Sequence, residues 1–162
     1  MTTQEQLKIY AAYLPYKVAF SDLTCDMPNK LILDTENFSG VLEDATHLNT
    51  IRLHLYDLSY LTKEIEHEGR KFIPMHVLKN GGTDLNEYRF LEWKGYSAID
   101  NEQHETCYCP KTMSFYQFYM GDSRMCTDQY NKFQLLLSWH FNVFNLPAGD
   151  FIDKATFKNR KQ

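Results

Sequence analysis

Residues 127–146 read TDQYNKFQLLLSWHFNVFNL. At 100° per residue, Asn131, Gln134, Ser138, Asn142 and Asn145 fall in one narrow arc, with Lys132 off it. The remaining positions are almost all apolar: Tyr130, Phe133, Leu135, Leu136, Leu137, Trp139, Phe141, Val143, Phe144 and Leu146. A surface helix shows one apolar stripe, whereas a helix apolar on most sides is a buried one. The pattern therefore predicts a long core helix over 127–146, capped by Thr127 and stopped by Pro147. At about 1.5 Å per residue such a helix would cross a small domain.

The rest of the chain is read against that helix. Thr3 with Gln6 fits a capping box, and Leu7, Tyr10, Ala11 and Leu14 make one face of a helix over 3–14 that Pro15 ends. Strands are expected at 16–21, at 30–34 (buried on both faces) and at 49–56, where Ile51, Leu53 and Leu55 alternate with Arg52, His54 and Tyr56. Residues 37–44 read as a loop or a further short strand. Leu58, Leu61 and Ile65 at helical spacing predict a short helix over 58–67 stopped by Gly69. Residues 72–78, interrupted by Pro74, read as an edge strand or an irregular stretch. Asn80-Gly81-Gly82 marks a turn, 88–93 a strand and 97–111 a polar loop. Residues 113–120 suit either a strand or a helix, and 121–123 lead into the long helix. The expected fold is one α+β domain over residues 1–162: an antiparallel sheet from the first half, packed against the long C-terminal helix with the N-terminal helix beside it. Two small layers joined by the 97–111 loop are the alternative.

Composition bounds the function. The chain has 162 residues, 43% of them hydrophobic and 15% aromatic, enough for a substantial core without disulfides or metals. A net charge of −4, from 17 basic and 21 acidic residues, argues against a general phosphate-backbone binder. The short basic cluster Lys154, Lys158, Arg160 and Lys161 reads as solvated. No membrane-length apolar run and no leader pattern is present, and four cysteines do not make a disulfide scaffold; a reducing cytoplasm is expected.

Two further stretches carry a resemblance. LSYLTKEIEHEGRKFIPMHVL (58–78) and SWHFNVFNLPAGDFIDKATF (138–157) are similar to a family of small proteins encoded by phages and prophages of Bacteroidales bacteria. In that family a D/S-L-T-K-E-I segment precedes a short Phe-containing strand. A W-H-F-D-V-F-G-L segment followed by Ile-Asp lies near the C-terminus. LKIYAAYLPYKV at the start of the chain is also similar. Asn142 and Asn145 stand where the family tends to carry Asp and Gly. The resemblance implies a phage origin and work inside the bacterial host; it brings no catalytic or binding residue with it.

The one set with metal-ligand chemistry is His104, Cys107, Cys109 and Cys126, four N/S donors of the kind that hold structural zinc. Cys107-Tyr-Cys109 has a single spacer where zinc knuckles have two to four, so ordinary thiols are the stronger reading and no metal or cofactor is expected. Cys126 near a helix start could be an activated nucleophile, but His140, fourteen residues further along one helix, would lie about 21 Å away. His140 reads either as a site residue in an aromatic pocket or, preferably, as a core histidine bonded to backbone or a tyrosine. Glu64, Glu66, Glu68 and Asp57 read as a solvated face. His47, His54, His67 and His76 show no metalloprotease order, and Gly81-Gly82 is no phosphate loop. Tyr56, Tyr60, Tyr88, Tyr96, Tyr108, Tyr116 and Tyr119 supply the large amphipathic rings common at recognition surfaces. The leading expectation is a non-enzymatic phage accessory protein that binds a host or phage protein, or a second copy of itself. A small enzyme or ligand binder using the His104–Cys126 region or a pocket near His140 is the alternative.

Overall fold

The computed structural model describes residues 1–24, 30–43, 47–79, 85–100 and 102–157. The expected turn at residues 80–82 and most of the basic C-terminal cluster lie outside them. The chain divides into two compact units, one of Met1–Asp57 with Leu137–Gln162 and one of Leu58–Leu136.

The first unit opens with helix α1, Thr3–Tyr13. Its capping box is Thr2 with Glu5, one residue earlier than the expected Thr3–Gln6. The Thr2 hydroxyl accepts from the Glu5 N–H at 3.2 Å, and the Glu5 carboxylate accepts from the Thr2 N–H at 2.7 Å. A carboxylate near the positive end of the helix is favoured over a neutral amide. The buried stripe is Gln6, Tyr10 and Tyr13 rather than the apolar Leu7, Ala11 and Leu14. These longer side chains bury their bodies and bring polar tips to backbone carbonyls. Tyr10 donates to Ile51 O at 2.9 Å, and the Tyr13 hydroxyl donates to Phe141 O. A 3-10 turn, Leu14–Tyr16, carries the chain past Pro15 to Lys17 at φ 50°.

Strands β1 (Ala19–Asp22), β2 (Leu31–Ile32), β3 (Ile51–Leu55) and β11 (Phe151–Asp153) form one sheet in the order β11-β3-β1-β2. β1 is antiparallel to β2 and β3, and β11 is parallel to β3. β2 is two exposed residues at the sheet edge, not the doubly buried strand expected at 30–34. The stretch read as loop or strand at 37–44 is helix α2, Thr35–Glu43. Asp34 Oδ1 accepts from the Asn37 N–H at 2.9 Å, which satisfies one of the donors a helix start leaves open.

In the second unit a 3-10 turn, Leu58–Thr62, replaces the expected helix over 58–67. It leads into the hairpin of β4 (Ile65–His67) and β5 (Arg70–Phe72). Glu68 and Gly69, at φ 51° and 74°, are the two positive-φ residues of its tight turn. Gly69 thus supplies the mirror-image turn that a two-residue hairpin needs, rather than a helix stop. Helix α3, Pro74–Leu78, starts on Pro74, where the missing N–H costs nothing.

Five strands then run up and down as an antiparallel sheet: β6 (Leu85–Leu91), β7 (Gly95–Asp100), β8 (Glu105–Cys109), β9 (Ser114–Tyr119) and β10 (Asp122–Met125). The polar 97–111 stretch, expected as a loop, is the centre of this sheet. All five residues of β8 are buried, and the one charge among them, Glu105, is paired with Arg89 and Lys94. The 3-10 turn and α3 pack on β7.

Helix α4 spans only Gln129–Ser138, ten residues, in place of the long helix expected over 127–146. It is not walled in on all sides: Tyr130 is 73% exposed, while Lys132, the one charged residue of the helix, is buried. The Lys132 ammonium donates to Leu78 O and lies 3.2 Å from Asp128 Oδ2. Beyond Ser138 the chain leaves the helix. His140 takes φ 65°. Phe141 forms a parallel bridge with Tyr56; the Tyr56 N–H donates to His140 O at 2.8 Å and the Asn142 N–H to Tyr56 O at 2.9 Å. Trp139, Phe141, Asn142 and Val143 are all buried, in a stretch of turns closed by the Val143 N–H to Phe141 O and the Asn145 N–H to Asn142 O. The polar arc was thus two devices, a helix face up to Ser138 and turn-forming asparagines after it. Among the described residues no helix is long and apolar enough to cross a membrane.

Candidate functional site

The outer face of the five-stranded sheet is set by strand alternation. Glu105, Cys107 and Cys109 of β8 share it with Ser97 and Ile99 of β7 and with Tyr116 and Phe118 of β9. Glu105 is its hub. Arg89 Nε and Nη2 reach Glu105 Oε1 at 3.2 and 3.1 Å, and the Lys94 ammonium donates to Oε2. Burial pushes the Glu105 carboxyl up, but the bonds from Lys94 and Arg89 outweigh it and hold the group below its ordinary value. The Lys94 ammonium also lies over the rings of Trp93 and Phe118, 4.6 and 4.2 Å from their centroids. Those two rings meet edge to face at 6.2 Å.

These groups line a shallow trough of about 580 Å³ across the face. Its floor is Ile99, Glu105 and Phe118, with Arg89, Trp93 and Lys94 on one side and Tyr119 and Met120 on the other. Trp93 is 70% and Met120 84% exposed. The charges on the floor are already paired, so what the trough offers a partner is apolar and aromatic surface around a satisfied polar centre. That is the make-up of a protein-recognition patch.

A second cleft, of about 490 Å³, opens where β7 turns into β8. Asp100 organises it: Oδ1 accepts from the N–H groups of Glu102 and His104 at 3.0 and 2.8 Å, and Oδ2 accepts from the Lys79 ammonium. Burial raises the Asp100 pKa, and the Lys79 bond, these amides and the Lys79 charge together bring it below its ordinary value. His104 Nδ1 lies 3.5 Å from Asp100 Oδ2 and 3.6 Å from Glu102 Oε2, and its ring stacks on Tyr119 at 4.3 Å. Gln117, Thr106 and Arg124 complete the lining.

The four donors His104, Cys107, Cys109 and Cys126 are not brought together. His104 faces this cleft, and the three cysteines are buried free thiols. Among the described residues no group of three or more His, Cys, Asp or Glu is placed to hold a metal ion. Burial, with the Glu105 charge, pushes Cys107 up to about 12, and burial also raises Cys126. Cys109 differs. Burial raises it, but bonds from the Thr112 hydroxyl and from the N–H groups of Thr112 and Lys111 bring it below its ordinary value.

In the first unit His140 is tied down. Its Nε2 donates to Tyr16 O at 2.9 Å, which leaves Nδ1 to accept from the Lys154 ammonium at 3.2 Å. Lys154 in turn lies 4.8 Å over the Tyr56 ring. This is the backbone-bonded histidine of the preferred reading, with a lysine the sequence did not point to. A pair that periodicity could have suggested is His54 with Ser21, whose Nε2 and Oγ are 2.8 Å apart on adjacent strands. Both are buried, and Phe157 packs edge to face on His54 at 4.4 Å. A hydroxyl–imidazole pair can serve as nucleophile and base; here no substrate reaches Ser21, which is fully covered. Of the tyrosines expected at recognition surfaces, Tyr56 and Tyr108 are core residues and Tyr119 lines both clefts.

No protein-family model, no curated protein and no solved structure matches the chain.

Proposed function

We propose that the protein acts by binding another protein through the trough on the outer face of its five-stranded sheet. The observation that carries this reading is the joint exposure of Trp93 and Met120 at opposite ends of one depression whose floor charges are mutually paired. Exposed large apolar groups rimming a groove are costly unless they are covered in use. Trp is the side chain most often found as an interface anchor, and Met adapts to irregular partner surfaces. With the phage origin that residues 58–78 and 138–157 resemble, the partner would be a host or phage protein met inside the bacterium.

Capture from bacterial host lysate by the full chain, read by quantitative mass spectrometry, tests this. A partner retained by the parent should be lost at least about tenfold on Trp93→Ala with Met120→Ser, since anchor truncations commonly cost over 1 kcal/mol each. Retention of nothing by the parent, or equal retention by the variant, would overturn the reading.

One arrangement favours a second reading. His104 faces an open polar cleft beside Asp100 and Glu102, stacked on Tyr119, with Lys79 and Arg124 in the same lining. A small polar ligand could be held there. Native mass spectrometry of the purified protein, followed by a His104→Ala comparison, separates this from the trough reading.

A further inference from the structure

The outermost strand of the second unit's sheet is β10, and all four of its residues are exposed. It follows a two-residue turn, Met120-Gly121, with φ of 46° and 90°, which makes Tyr119 and Asp122 the closing hydrogen-bonded pair. The backbone groups of Asp122 and Arg124 are therefore turned toward β9. On the same side the Cys126 N–H donates to Phe115 O at 3.1 Å. By alternation, the N–H and C=O of Ser123 and Met125 point away from the sheet. Such a row is a template for another strand, and Asp-Ser-Arg-Met holds no Pro or Lys to blunt it.

We propose that β10 pairs antiparallel with β10 of a second copy of this chain, about a twofold axis through Ser123. The charge pattern commits the edge to this occupant. A twofold axis that joins two such strands in one sheet must stand perpendicular to the sheet and place some residue opposite itself. Centred on Asp122 it opposes Asp to Asp; centred on Arg124 it opposes Arg to Arg. Both are destabilising. Centred on Ser123 it sets Asp122 across from Arg124 of the second copy, and Arg124 across from its Asp122. Ser123 then pairs with itself through its outward N–H and C=O, and Met125 meets Gly121. Among the described residues neither Asp122 nor Arg124 forms an ion pair within its own chain, so both are free to do this. Met125, which is exposed, would lie across from Gly121 of the second copy and be partly covered by it. Charges on an edge usually keep copies apart; an acid and a base two residues apart attract their own image in one register and repel it in the two flanking ones. The pairing goes beyond the trough reading and does not rest on it.

Sedimentation equilibrium of the full chain over a concentration series tests the pairing. The parent should show a concentration-dependent dimer. Asp122→Arg and Arg124→Asp should each weaken self-association about tenfold, by opposing like charges at both positions. Their equimolar mixture should form a heterodimer within about twofold of the parent's affinity, because Arg now meets Asp at both positions. Trp93→Ala should leave the dimer unchanged while weakening partner capture, which keeps the two readings apart. If either charge variant fails to fold, Ser123→Pro, which removes an outward N–H and nothing bonded to β9, should dissociate the dimer. A parent that stays monomeric throughout, a dimer indifferent to these changes, or a mixture no tighter than its components would overturn the proposal.

Discussion

The side chain of Asn142 closes on the backbone of Leu146 at both ends: Oδ1 accepts from the Leu146 N–H at 2.8 Å and Nδ2 donates to Leu146 O at 2.9 Å. This clamp turns an apolar run that could continue a helix into a compact loop. Asn142 is buried, so removing it leaves both groups of Leu146 without a partner away from water. Asn142→Leu, similar in volume, should cost about 2–3 kcal/mol in urea unfolding, with faster hydrogen exchange at the Leu146 amide. An unchanged midpoint would show that the clamp follows the loop rather than forming it.

Asn142 also shows where the sequence stopped being legible. Helical phase was correct up to Ser138 and still satisfied beyond it, since Asn142 and Asn145 fall in the same arc. Phase alone cannot tell a polar helix face from asparagines that form turns. Asn145 at φ 53° is in the left-handed region that Asn tolerates and Gly prefers. β3 was legible because its alternation is strict. The central sheet was not, because β8 buries Glu105 and Thr106 beside Cys107 and Tyr108, and polarity made the stretch look like a loop. The partners that neutralise Glu105, Arg89 and Lys94, come from β6 and the turn after it, a pairing that no local pattern announces. The trough follows from the same pairing, so its anchors Trp93 and Met120 had no signal in sequence beyond being large and apolar.

Gly95 begins β7 at φ 94°, and a Cβ placed on it would sit against Tyr108 O and 2.9 Å from Cys109 Cα. Those atoms are backbone of the neighbouring strand and cannot swing aside. Gly121, at φ 90°, has open space around it. Gly121→Ala should therefore cost only the left-handed conformation, about 1–2 kcal/mol, and Gly95→Ala on the order of 3–4 kcal/mol. Denaturant midpoints of the two variants measure the difference, and equal losses would mean that the strand spacing at Gly95 relaxes.

The Tyr108 hydroxyl is buried without a hydrogen-bond partner among the described residues, and burial pushes its pKa up. An unpaired buried hydroxyl costs free energy that a phenyl ring of the same shape does not. Tyr108→Phe should stabilise the protein by roughly 0.5–1 kcal/mol in thermal or urea unfolding. A loss of stability instead would mean that the hydroxyl does meet a partner.

Two thiols on one strand face should differ in reactivity. The thiolate is the reactive form, and Cys107 is held up to about 12 while Cys109 lies below its ordinary value. Iodoacetamide on the folded protein, followed by peptide mapping, should modify Cys109 well before Cys107, with Cys107 protected until unfolding. Equal labelling of the two would show that the Thr112 and Lys111 bonds to the Cys109 sulfur do not persist.

The His54–Ser21 pair gives the first unit a pH dependence of known sign. Burial, then the charges of Lys30 and Lys154, lowers the His54 pKa from 6.5 to about 4. Between those values the unfolded chain binds a proton that the folded one refuses, so stability rises with pH across the window. It is complete above 6.5 and declines as pH falls toward 4. Asp100 and Glu105 have lowered pKa values, from 3.8 and 4.5, so their contribution is present above those ordinary values and is lost only at lower pH. Most of the His54 window is therefore free of them. Urea midpoints taken between about pH 7 and about pH 4.5 should fall with acidification in the parent. His54→Gln, which keeps a group able to bond the Ser21 hydroxyl but carries no titrating ring, should show a nearly flat profile over the same range. Parallel slopes in parent and variant would assign the titration to another group and leave His54 with packing against Phe157 as its role.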